Sequence, residues 1–277
     1  MAAVAVAARP PAARPSAAGR LACGTWASVL RVLLNYRHSP GLLAASLGVP
    51  VVMVVVFGYV FGSAMQVPGG GDYREFLMPG LFAMVATNGI MPTMVGAARD
   101  VGRGVTDRLR AMPVSRTGLL LGQTLADLLV SVAVLGLLAL VGLAAGWRAR
   151  HGLADASAAF ALLLLFRFVM TWAGTLLGLA VGKEEAAGQL SVAVFPLAMV
   201  TNAYVPTGGM PGWLRFLADW NPVSSVVQAC RDLFGNPSAA GTAWPTQHAV
   251  PAALLWSAVL LAVCLPLAVR KFATHGR

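Results

Sequence analysis

Few side chains in this 277-residue chain are placed to do chemistry, and two of them stand inside otherwise apolar runs. Asp127 interrupts LLLGQTLADLLVSVAVLGLL and Arg167 interrupts SAAFALLLLFRFVMTW. Each lies about ten residues into its run. At 1.5 Å per helical residue, both sit roughly 15 Å from the faces at which their helices enter, and antiparallel neighbours would bring them to one level. A charge left alone at that depth costs about 2.5–3.5 kcal/mol on insertion scales, so a partner or a wet cavity is required. The two side chains fit a structural ion pair, a residue set along a cargo path, or a proton relay. A second group is the stretch ARDVGRGVTDRLRAMPVSR, in which Arg99, Asp100, Arg103, Asp107, Arg108 and Arg110 surround an apolar stripe of Val101, Val105, Leu109 and Met112. This spacing predicts a short amphipathic helix closed by Pro113, either a surface helix on headgroups or a lever for a partner. A third is Trp213, Phe216, Leu217 and Trp220, spaced i, i+3, i+4, i+7 on one helical face.

Other chemistries find no support. A nucleotide-binding chain would carry G-x-x-x-x-G-K-[ST] to cradle phosphates; the nearest string, Gly178 to Glu184, has the wrong spacing and lacks the hydroxyl. His38, His151, His248 and His275 are scattered, and there is no HExxH or GxSxG string for metal or serine chemistry. Cys23, Cys230 and Cys264 suggest no pairing and read as free thiols. Neither a metal nor a cofactor is expected on this chain.

The elements that hold these groups belong in lipid. Hydrophobic residues make up 58% of the chain and charged ones 11%, far below the roughly 25% of soluble domains. A bilayer core takes about 20 apolar residues per helix. Six stretches qualify as spans: residues 42–62, 78–98, 118–142, 157–181, 188–206 and 249–269. Residues 1–20, rich in Ala, Pro and Arg, read as a disordered cytosolic tail, and 21–277 as one membrane domain. Between them, Trp26, Leu30, Leu33 and Leu34 predict an interfacial amphipathic helix over 22–38. The net charge of +10 does not indicate nucleic acid, because the basic residues flank apolar runs instead of gathering on one soluble module. With the N-terminus inside, fourteen of the twenty Lys and Arg fall on cytoplasmic segments and only Arg74, Arg148, Arg150, Arg215 and Arg231 on outer loops, which predicts both termini in the cytoplasm.

Gly174, Gly178 and Gly182 form a tandem GxxxG stripe, repeated in spacing by Gly58/Gly62 and Gly118/Gly122, and read as helix packing. Asn221-Pro222 supplies an N-cap and first-turn proline for a helix bearing Val223, Val226, Val227 and Leu233, with Gly235 as its stop. The helices before and after Asn221 are too short to span and would enter the outer leaflet or form a folded cap.

The run Asp100 to Arg116, with Gly104, Asp107-Arg108-Leu109-Arg110 and Pro113-Val114-Ser115-Arg116, resembles the signature loop of type-2 ABC exporter permeases, particularly the daunorubicin-resistance type. NAYVPTGGMPGWLRFLADWNPVSSVVQACRDLFGNP, residues 202–237, is similar to that family's extracellular segment between its last two spans. The likeness covers roughly residues 25–272. It implies an all-α integral membrane protein with six transmembrane helices, an N-terminal interfacial helix, a cytoplasmic coupling helix at 99–112 and short extracellular re-entrant helices. It also implies an inner-membrane permease paired with a second copy, identical or not, and driven by a separate ABC ATPase that holds ATP and magnesium. The cargo would be an amphipathic drug, antibiotic or other small molecule. Two alternatives are export of polysaccharide or lipid-linked glycan, and a proton-coupled secondary transporter using Asp127 and Arg167. An intramembrane enzyme has no recognisable nucleophile or metal set.

Overall fold

The computed structural model describes residues 40–61, 72–103, 116–238 and 241–274. The expected tail 1–20, the interfacial helix 22–38 and the loop from Gly104 to Ser115 lie outside the described residues, and with them Asp107, Arg108 and Arg110.

Among the described residues the secondary structure is entirely helical. Helix α1 (Pro40–Val55) runs into a π-helical turn, Val56–Phe61. Helices α2 (Tyr73–Thr87) and α3 (Ile90–Gly102) follow one another across a two-residue break, then come α4 (Arg116–Ala144), α5 (Leu153–Val181) and α6 (Glu184–Met199). A 3-10 turn (Thr207–Gly209) leads to α7 (Gly212–Asp219), α8 (Pro222–Phe234), the single turn α9 (Trp244–Gln247) and α10 (Ala249–Thr274).

Among the described residues, four stretches are long and apolar enough to cross a membrane: Tyr73–Gly102, Thr124–Ala144, Leu153–Val181 and Ala249–Phe272. They match the second, third, fourth and sixth expected spans. The first expected span falls on α1 and its π-helical turn, of which Gly48–Val60 is apolar but short. The fifth differs from expectation. Helix α6 stops at Met199 instead of continuing to residue 206, and Thr201, Asn202 and Ala203 turn away, buried. Pro206 has no N–H to offer the Asn202 carbonyl, so a helix continued to residue 206 would leave that group unpaired. Arg231 of α8 donates instead to the carbonyls of Asn202 and Ala203, at 2.9 and 3.2 Å.

The second span also differs, being α2 and α3 joined at Asn88–Gly89 and not one straight helix. Asn88 still donates its N–H to Met84 at 2.8 Å, closing α2. The glycine stripe finds its counterpart here. A methyl group at Gly174 would strike the Ile90 carbonyl oxygen, and one at Gly178 the Met94 carbonyl oxygen, so α5 and α3 touch backbone to backbone. Gly182, the last of the stripe, serves differently, ending α5 in the left-handed conformation at φ 69° with its N–H on the Gly178 carbonyl.

Among the described residues the apolar interior falls into three clusters. The largest joins α2, α4, the Trp147 region, the first half of α5, α8 and the start of α10. Two smaller ones lie at the opposite end: Trp172, Leu179, Cys264, Ala268 and Phe272 form one, and Met94, Ala98 and Ala187 the other. The division crosses α5 between Met170 and Trp172 and crosses the α2–α3 pair between Ala86 and Met94.

Candidate functional site

At the seam between these clusters Arg167 and Asp127 meet. Arg167 Nε donates to Asp127 Oδ2 and Nη2 to Oδ1, both at 2.7 Å, the two-pronged geometry in which guanidinium and carboxylate bind most strongly. The Thr171 hydroxyl donates to Asp127 Oδ2 at 3.0 Å, and Arg167 Nη1 donates to the Val85 carbonyl at 3.0 Å. Side-chain exposure is 11% for Arg167 and 18% for Asp127, which makes this a largely desolvated pair. Four elements therefore converge on it: α4 supplies Asp127, α5 supplies Arg167 and Thr171, α2 offers a carbonyl from its last turn, and the break supplies Gly89. A side chain at Gly89 would come within 2.5–2.7 Å of Nε, Cζ and Cδ of Arg167. Glycine is required there by the close approach of the guanidinium, not by its own backbone angles. Further hydroxyls line the seam. Thr87, Thr93, Ser131 and Thr175 each donate to the carbonyl four residues back, at 2.7–2.9 Å, and so bring no unsatisfied group into the interior.

One end of the bundle carries the described part of the charged stretch. Arg99 Nε and Nη2 donate to Glu184 Oε1 at 2.9 and 2.5 Å, tying the end of α3 to the start of α6. Hydrogen bonding from Arg99 holds the Glu184 carboxyl below the usual carboxylate range. Asp100 lies in the last turn of α3 and Arg103 is its exposed cap. The expected amphipathic stretch therefore begins as a continuation of α3.

The opposite end carries the aromatic set. Trp213, Phe216, Leu217 and Trp220 are 68, 62, 53 and 45% exposed along α7, a contiguous apolar face that the described residues leave uncovered. Arg215 and Asp219 pair at 3.6 Å, and Asp219 also accepts from Thr207 at 2.9 Å. Helix α8 departs from the expectation of a peripheral amphipathic helix. Its caps are as the sequence suggests, with Asn221 Oδ1 accepting from the Val223 N–H and Gly235 in the left-handed region. However, Val223 to Arg231 are all buried, so α8 is packed inside the bundle against α2, α5 and α10.

Three features of this end escaped sequence reasoning. Arg231, assigned to an outer loop, is fully buried. It donates to the carbonyls of Phe76, Asn202 and Ala203, with its guanidinium carbon 3.6 Å from the Phe76 ring centroid. Glu75 and Arg150 form a forked pair at 2.7 and 3.2 Å, and Trp147 donates to Asn236 at 2.8 Å beside a cluster of Phe82, Phe160 and Phe234. Each is a long-range partnership between segments that carry no mutual spacing signal. A basic residue four positions before a Gly stop, on a helix otherwise bearing small and apolar residues, was the available hint for Arg231.

Comparison with known proteins agrees with this architecture. The family described as ABC-2 type transporter matches residues 24–234. A daunorubicin resistance ABC transporter permease protein of Streptomyces coeruleorubidus is 30% identical over 87% of this chain and 83% of its own length. A probable doxorubicin resistance ABC transporter permease protein of Mycobacterium tuberculosis is 21% identical over 88% and 87%. A multidrug ABC transporter permease of Escherichia coli, named as probable, is 23% identical over 62% of this chain and 47% of its own length. An all-helical bundle with four membrane-crossing stretches, matched by this family over most of its length, is a multi-pass membrane permease: the chain belongs to the ABC-2 type transporter family.

Proposed function

We propose that this chain is the membrane half of an ATP-driven exporter that moves an amphipathic small molecule out of a bacterial cell. The observation that carries the reading is the near full-length similarity to a permease named for daunorubicin resistance. In this reading both termini are cytoplasmic, six helices cross the inner membrane, α1 and α6 being the two short ones, and α7 and α8 form a re-entrant cap on the outer side. Residues 99–112 act as a coupling helix that receives the stroke of a separate ABC ATPase, which binds ATP and magnesium. Arg99, Asp100, Arg103, Asp107, Arg108 and Arg110 make that contact. A second permease copy, identical or homologous, faces the first across the cargo path. Trp213, Phe216, Leu217 and Trp220 line the outer gate, since an apolar face left uncovered on one subunit suits both lipid and a symmetry mate.

The physical logic is a division of labour. The 277 residues contain no phosphate-cradling loop, so the free energy for transport enters through α3 from outside the membrane. The test is uptake of a fluorescent anthracycline into inverted vesicles bearing this chain with and without a co-expressed ABC ATPase. Uptake that needs ATP and both proteins supports the reading. Transport by this chain alone under a proton gradient would replace it with secondary transport through Asp127 and Arg167.

A further inference from the structure

We infer that the break at Asn88–Gly89 is a pivot within the second membrane-crossing stretch and that Arg167 is its pin, a positioning residue that lets α3 change angle against α2 without baring a backbone carbonyl in the membrane interior. That the motion serves transport rests on the exporter reading above; the pivot itself does not.

Three observations meet at this point. A helix interrupted inside a bilayer frees carbonyls from the preceding turn, and lipid offers no donor to satisfy them. Here the freed carbonyl of Val85 is taken by Arg167 Nη1 from a neighbouring helix at 3.0 Å. The guanidinium is itself anchored by two bonds to Asp127, and Gly89 is the residue whose lack of a side chain makes room for it. Finally, the apolar interior divides at the same level, with the Met94–Ala98–Ala187 and Trp172–Phe272 clusters on one side and the large cluster on the other. A packed core resists bending, and a seam between cores does not.

The lower body is built to move together. Helix α3 is joined to α5 at Gly174 and Gly178 through backbone contacts, and to α6 through Arg99 and Glu184. A push arriving at Arg103 therefore cannot bend α3 locally. It is delivered to the junction at Gly89, where the helix ladder is already open.

The test uses the full chain alone in lipid nanodiscs, with no ATPase. Spin labels are placed at Asp72→Cys and Arg103→Cys, at the far ends of the two arms that meet at the break, and separately at Leu153→Cys and Lys183→Cys, along the unbroken α5. Arg167→Gln removes the charge that pins the break. The Asp72–Arg103 distance distribution is expected to shift or split by several ångström, with the Leu153–Lys183 distribution unchanged. Gly89→Ala, which places a methyl group against the guanidinium with Arg167 intact, is expected to act in the same direction. Hydrogen exchange of the Met84–Thr93 segment provides a second readout, accelerated in both variants relative to residues 222–234. Equal broadening of both label pairs, or exchange raised evenly along the chain, would mean that Arg167 only holds the fold together, and unchanged distances would remove the pivot. Loss of ATP-driven efflux is a separate result that bears on the exporter reading alone.

Discussion

Replacing Asp127 and Arg167, singly and together, gives the sharpest measurement of the mid-bundle pair. The side chains are 11% and 18% exposed and share two bonds of 2.7 Å, so neither is screened as a surface pair would be. Asp127→Asn leaves the guanidinium with one amide oxygen and the Val85 carbonyl. Breaking a buried pair by neutralising one partner costs about 3–5 kcal/mol. Arg167→Gln leaves a carboxylate with only the Thr171 hydroxyl and frees the Val85 carbonyl, at a similar cost of about 3–5 kcal/mol. The double variant Asp127→Asn/Arg167→Gln carries no net charge to bury and keeps one side-chain hydrogen bond. It should therefore be no worse than the poorer single variant, a coupling of at least about 3 kcal/mol, equal to the cost of the milder single variant and at the upper end of the range for residues in contact. The assay is reversible unfolding in mixed micelles across a denaturing-detergent series, with folded yield by fluorescence-detected size exclusion as a check. A double variant whose loss equals the sum of the singles to within about 0.5 kcal/mol would show the two charges to be independent and refute the reasoning.

Gly178→Leu drives a side chain into the Met94 carbonyl; overpacking of this kind is expected to cost about 1–3 kcal/mol and to be seen as a lowered thermal midpoint. Asn236→Ala strips the buried Trp147 indole of its acceptor, and leaving that N–H bare should cost about 1–3 kcal/mol, read from unfolding and from a shift in tryptophan emission. Because Arg99 holds the folded-state pKa of Glu184 below its ordinary value, their pairing contributes stability above that ordinary value and loses it as pH falls through the lowered one. Glu184→Gln should consequently differ from the parent at neutral pH and converge with it in acid, by thermal midpoints taken from pH 7 down to about pH 3. Asp107→Ala and Arg110→Ala should impair ATP-driven efflux while leaving membrane insertion at parental levels; normal efflux in both would remove the coupling assignment.

The long apolar runs and the signature loop made the family legible, because bilayer thickness imposes a length on every span and few soluble folds share it. Four of the six expected spans coincide with membrane-crossing helices to within a few residues. The caps of α8 were equally legible, since Asn221, Pro222 and Gly235 act through their own backbones. What the span assignment did not register was the break at Asn88–Gly89, although Asn88-Gly89 and Pro92, which has no N–H for the Asn88 carbonyl, stand in the sequence; the seat of the Arg167 guanidinium against Gly89 and the Val85 carbonyl carried no such signal. The turn that follows α6 was hidden as well, because the Asn202 and Ala203 carbonyls just beyond that helix find their donor in Arg231, on a helix further along the chain. The level of Asp127 and Arg167 could be estimated from helical rise, but the participation of Val85, Thr171 and Gly89 required the packing of helices that no local pattern encodes.

The burial of Arg231 bears on how the polypeptide is made. Residues 222–234 are too short and too polar for the insertion machinery to treat as a span, with a cation near their far end that has no reason to leave water unaided. The acceptors that welcome it, on Phe76, Asn202 and Ala203, belong to segments synthesised earlier. Biogenesis must then run in two stages, the long helices threading first and this one swinging inward afterwards onto a prepared set of oxygens.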